Sequence, residues 1–185
     1  RCLSGLTCDT VSTFFDSAVM RACVAWIVLL GALFGAQPAT AQHDVDLEQW
    51  RAWYREAAAS QTGSVMVDHM ASDCGTCEGH PLSHGFLAVS NLMVADELRN
   101  PLEKLEIFNA WQPVLESAVA ALPEHPDLAL LRLGVQTHVP SILNYSNNTR
   151  ADRLLVERAL AQGHWSTDRI HAAFVRDFLM YLKSF

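Results

Sequence analysis

Four side chains able to bind metals or exchange electrons lie within eleven residues: Cys74, Cys77, His80 and His84, spaced C-x2-C-x2-H-x3-H in the stretch DCGTCEGHPLSH. Thiolate and imidazole are ligands of zinc and copper, so the set could in principle hold a tetrahedral ion. Structural sites usually bring two such pairs together across a longer loop, whereas here two residues separate the pairs and crowd the backbone. A redox dithiol needs a strand-turn-helix setting whose helix N-terminus lowers the thiol pKa. Haem attachment needs His directly after the second Cys, where Glu78 stands. In an oxidising compartment, two cysteines this close form a short-loop disulfide. A Cys74–Cys77 disulfide is therefore the first reading, and zinc or copper on Cys74, Cys77, His80 and His84 is the alternative. His69 lies upstream on its own, and His43, His125, His138, His164 and His171 are scattered with no spacing signal. The chain has no GxSxG elbow, HExxH helix or phosphate-cradling glycine loop. The neighbouring acids Glu103/Glu106 and Asp73/Glu78 read as solvated faces. No catalytic residue and no cofactor other than the alternative metal is expected.

The compartment follows from the front of the chain. From Met20, a short basic start leads into the apolar run Ala22 to Ala36 and then Ala39-Thr40-Ala41. This is the tripartite pattern of a secretory signal peptide, too short for a comfortable bilayer span. Residues 20–41 are expected to be removed, and residues 1–19 read as upstream sequence translated from too early a start. Cleavage after Ala41 would leave 144 residues, enough for one domain with a real core, residues 42–185. Only Cys74 and Cys77 would then remain, in a periplasmic or secreted protein. The formal net charge of −7 and the lack of any basic run argue against nucleic acid or an anionic membrane as partner, since both require clustered Lys and Arg.

The elements that must position these residues are helical. Leu47, Trp50, Trp53, Tyr54 and Ala57 recur at helical spacing while Glu48, Arg51, Arg55 and Glu56 face elsewhere, and the tryptophans read as core. A short helix is expected over Val65–Met70 and a longer one over Leu82–Arg99, stopped by Asn100-Pro101. The segment from Pro101 carries a 3.6-residue apolar rhythm that Pro113 should kink or split before Pro123 ends it. Leu128, Leu131, Val135 and Val139 form the next stripe, with Arg132 and Gln136 on a neighbouring face. Helices over Ala151–Gln162, capped by Asn148 or Thr149, and over Thr167–Leu182 complete the chain. No window alternates with period two, so strands are not expected. The fold class is all-α: tetratricopeptide-like but irregular helical hairpins in one compact domain.

Within this frame, Arg132, Gln136, Pro140, Leu143, Tyr145, Asn148 and Asp152 stand in a specific register, preceded by NPLEKLEIFNAW and embedded in ESAVAALPEHPDLALLRLGVQTHVPSILNYSNN. On these stretches, residues 86 to about 156 resemble a family of uncharacterised exported helical proteins of Bacteroidetes-type bacteria. The resemblance implies an exported helical protein, supplies no activity and does not extend to the cysteine loop. Arg132 and Gln136 lie one helical turn apart and project toward the same neighbour. One reading pairs Arg132 with Asp152 and uses Gln136 and Asn148 to satisfy buried backbone groups. The other is a small polar pocket of Arg132, Gln136, Tyr145 and Asn148. The expected function is a non-catalytic exported helical module that binds a protein or small ligand in a groove between hairpins, with metal binding as the alternative.

Overall fold

Three of the helices begin with the same device, a polar residue followed by proline: His80-Pro81, Asn100-Pro101 and His125-Pro126. Proline forces the preceding residue into extended backbone, which is the conformation an N-cap requires, and its own missing N–H costs nothing at the first helical position. Each cap side chain accepts a backbone N–H two residues on: Leu82 N to His80 Nδ1 at 3.3 Å, Leu102 N to Asn100 Oδ1 at 3.0 Å and Asp127 N to His125 Nδ1 at 3.3 Å. The residues that end one segment thus start the next.

The computed structural model describes residues 46–73 and 79–184. Among them are seven α-helices: α1 Leu47–Ser60, α2 Gly63–Asp73, α3 Pro81–Glu97, α4 Pro101–Ala121, α5 Pro126–His138, α6 Thr149–Ala161 and α7 Arg169–Tyr181, with a 3-10 turn at Ser141–Leu143. There is no strand among the described residues, and none of their helices is long and apolar enough to cross a membrane. The expected leader, residues 20–41, and Cys74 and Cys77 with the disulfide drawn on them lie outside the described residues. The split expected at Pro113 does not occur. Helix α4 runs unbroken through it because the ring sits on the solvent side, where losing one N–H bond is tolerated.

Consecutive helices pack in pairs, α3 and α4 most extensively, and α3 also packs on α5. The first and last helices, α1 and α7, touch as well, which closes the array and distinguishes it from a solenoid whose units meet only their neighbours. Helix α5 organises the interior because it is apolar on two sides. Leu128, Leu131 and Val135 enter a core with Trp50, Tyr54, Met66, Met70, Phe86 and Leu115. Ala129, Leu130 and Leu133 enter a second core with Val156, Trp165, Val175 and Leu179. Gly85 lets α3 approach this helix: a Cβ there would stand 2.3 Å from the Leu128 side chain.

Candidate functional site

The densest chemistry lies between the two cores, around a carboxylate. Asp127, in the first turn of α5, is 1% exposed. Arg51 of α1 meets it bidentately, Nε to Oδ1 at 2.8 Å and Nη2 to Oδ2 at 2.7 Å. Trp165 Nε1 donates to Oδ1 at 3.1 Å, and His164 Nε2 lies 3.3 Å from Oδ2. Burial alone would raise this carboxyl, but hydrogen bonds from Arg51, His164 and Trp165 and the Arg51 charge overcome it and hold the group well below the usual carboxylate range. Two further imidazoles approach: His125 Nδ1 at 3.7 Å from Oδ2 and His171 Nε2 at 3.8 Å from Oδ1. Burial lowers the His125 pKa, with the Asp127 charge opposing it. Asp168 caps α7 by accepting the His171 backbone N–H at 2.9 Å and receives Arg55 Nη1 at 3.2 Å.

The sequence shows none of this convergence directly. His125, His164 and His171 look scattered, yet three different segments bring them to one carboxylate, and Arg51, on the polar side of α1, is only 8% exposed. The one local hint was His125-Pro126-Asp127, a cap followed by an acid in the first turn, where the helix dipole favours negative charge.

A second network contains most of the polar set expected around Arg132. Its Nε and Nη2 donate to Asp152 at 2.8 and 2.7 Å, and Nη1 donates to Glu116 at 2.9 Å. Tyr145 Oη donates to the other Glu116 oxygen, and its ring meets Phe108 edge-on at 5.6 Å. Hydrogen bonds to Asp152 raise the Arg132 pKa against the effect of burial, and burial followed by the Glu116 contact raises that of Tyr145. Glu116, which sequence reasoning did not single out, thus occupies the space between Arg132 and Tyr145. Gln136 is buried with its Oε1 2.9 Å from Thr149 Oγ1, and its Nε2 has no partner among the described residues. Thr149 Oγ1 is also 2.8 Å from the Ser146 carbonyl, and one hydroxyl proton cannot serve both acceptors. Turning the Gln136 amide over lets Nε2 donate to Thr149 and leaves Oε1 as the unpartnered atom. Asn148 is exposed at the start of α6 with no side-chain cap bond, so the capping expected of it is not made. Its carbonyl accepts the Asp152 N–H at 2.9 Å.

At the cysteine loop, only the flanks are described. Asp73 does not sit on a solvated face: its carboxylate accepts from the indole N–H of fully buried Trp50, anchoring the end of α2. His80 uses its Nδ1 lone pair to cap α3, which puts the neutral ring's proton on Nε2 and leaves no free ring lone pair for a metal while the cap holds. His84 is exposed on the first turn of α3. Among the described residues, no three His, Cys, Asp or Glu side chains are grouped to hold a metal ion.

Two surface depressions stand out among the described residues. One, of about 200 Å³, lies on α1 and α2, where Trp53 stacks on His69 with ring centres 4.7 Å apart. The larger, of about 320 Å³, runs between α6 and α7 and is lined by Leu160, Ala161, Leu179 and Met180 with Glu157, Arg176 and Lys183. Comparison of the chain with protein-family models, curated proteins and solved structures finds no match.

Proposed function

We propose that this chain is an exported, non-catalytic helical module that binds an amphipathic segment of a partner protein along the groove between α6 and α7. The supporting observation is the character of that groove: an apolar lining of Leu160, Ala161, Leu179 and Met180 bordered by Arg176 and Lys183. Glu157 is engaged by Arg153 at 3.1 Å, whereas Arg176 and Lys183 make no ion pair among the described residues. The groove is therefore a locally basic strip on a chain of net charge −7, which suits a segment with an apolar face and acidic flanks. Its size is that of a contact strip for a few anchoring side chains.

The test places a photo-crosslinking amino acid at Met180 and, as control, at Glu124, and irradiates cells exporting the protein. The expected result is a discrete crosslinked partner from position 180 alone, abolished by Leu160→Glu in a variant that still unfolds cooperatively. Equal capture from both positions, or capture that survives Leu160→Glu, would overturn the reading.

A further inference from the structure

The His171 ring is 1% exposed, yet neither of its nitrogens has a hydrogen-bond partner among the described residues. The reason is the saturation of Asp127. A carboxylate offers about four acceptor positions, and Arg51 Nε, Arg51 Nη2, Trp165 Nε1 and His164 Nε2 take them. His171 waits 3.8 Å from Oδ1 between Trp165 and Phe174, whose ring centres lie 5.7 and 5.8 Å from its own.

The charges facing this ring already balance. Helix α1 contributes Arg51 and Arg55, α5 contributes Asp127, and the residue capping α7 is Asp168, giving two cations and two anions joined in two pairs. His125 and His164 are the other titratable groups at the cluster, and His80 faces His125 from the start of α3. A proton on any imidazole adds positive charge. His125 and His164 are 23% and 32% exposed at the side chain and can shed that charge into solvent, but His171 cannot. The element that carries it is lightly held, because α7 packs chiefly on α1 and α6.

We infer that His171 is an acid-release switch: protonation puts an uncompensated cation beneath α7, and the helix relaxes outward so that the imidazolium reaches water. Burial pushes the His171 pKa down to about 4 from an ordinary 6.5, with the Asp127 charge opposing the shift and Arg51 and Arg55 adding to it. A histidine depressed in the closed state binds its proton more readily in the open one. The attachment of α7 is therefore complete above pH 6.5 and weakens progressively toward pH 4. At pH 5 the linkage favours the open form by about 30-fold relative to a group that does not titrate. This inference does not depend on what the α6–α7 groove binds, since it concerns only the docking of α7.

The test is amide hydrogen exchange resolved by segment at pH 7 and pH 5, corrected for intrinsic chemical rates, on the wild type and on His171→Phe. The expected result is an increase in opening of residues 169–182 of about 20-fold from pH 7 to pH 5 in the wild type, with α3 and α5 still protected, and little change in His171→Phe. Loss of protection in α3 and α5 together with α7, or the same acid response in His171→Phe, would overturn it. Should the variant fold poorly, imidazole NMR of the wild type decides instead. Titration of His171 near 6.5 with α7 still protected refutes the switch, and a ring that stays neutral until α7 opens supports it.

Discussion

Replacing Asp127 by Asn should be among the most damaging single changes available in this protein, and the size of the loss can be worked out. The substitution removes the anion but leaves the Arg51 guanidinium buried, at 8% exposure, with one amide oxygen in place of two carboxylate oxygens. Breaking a buried pair from one side costs about 3–5 kcal/mol, because the stranded charge keeps its desolvation penalty without its compensation. Trp165 and His164 lose a charged acceptor as well, worth about 1 kcal/mol more if either is left unpaired. Against a total stability of about 5–15 kcal/mol, the midpoint of thermal unfolding should fall by about 15 °C. The diagnostic comparison is a double-mutant cycle followed by urea denaturation. Arg51→Met with Asp127→Leu removes both charges and should be much less destabilised than the two single changes added together, by at least about 2 kcal/mol, since apolar replacement of a buried pair is often close to neutral. If Asp127→Asn costs under about 1 kcal/mol, or the double change costs the full sum, Arg51 and Asp127 are not the coupled pair described.

Arg132→Lys should cost about 1–2 kcal/mol in urea unfolding, because an ammonium cannot reproduce the two parallel bonds to Asp152 and the third to Glu116, while crosslinking through position 180 should be unchanged. A stable Arg132→Lys protein that had lost its partner would point to a ligand pocket there instead. At Gly63 two effects compete. Alanine favours a helix by about 1 kcal/mol over glycine, but its Cβ would stand 2.6 Å from the Val94 backbone nitrogen, which cannot yield as a side chain can. Gly63→Ala should therefore destabilise by about 1–3 kcal/mol, and a gain in urea midpoint would show that α2 is free to shift away from α3.

The helices could be read from the chain because their signals are local. The apolar rhythm and the X-Pro boundaries act within one or two turns, so they survive without knowledge of neighbours. The start of α1 carries such a signal in Asp46, which accepts the Gln49 N–H at 3.1 Å. Of the kink or split expected at Pro113, the split is absent because the effect of a proline depends on which side of the helix it faces, and that is set by tertiary packing. The polar sites were legible only where the partners lie close in sequence. Arg132 and Asp152 are 20 positions apart, joined by one loop, whereas Arg51 and Asp127 are 76 apart and His164 and Asp127 are 37 apart. Nothing in a hydrophobic pattern distinguishes Arg51, which is buried, from Glu48, which is exposed on the same helix. What separates them is the arrival of α5, a contact of long sequence separation.

That same geometry explains why a fold with ample apolar surface retains buried charges. Helix α5 is greasy on two sides, and apolar burial is non-directional, so the neighbours of α5 could satisfy it at several rotations and offsets. Bidentate guanidinium–carboxylate pairs accept one planar arrangement. Arg51–Asp127 ties α1 to α5, Arg132–Asp152 ties α5 to α6, and Arg55–Asp168 ties α1 to the start of α7. Each pair joins helices at a point where hydrophobic contact alone would leave the register loose. Of the three, the Arg55–Asp168 pair at 3.2 Å is the one met through a single guanidinium nitrogen, and it holds the helix most lightly packed on its neighbours. Mobility in this molecule should therefore concentrate in α7, at the end of the chain of pairs and above the His171 ring, which is buried without a hydrogen-bond partner among the described residues.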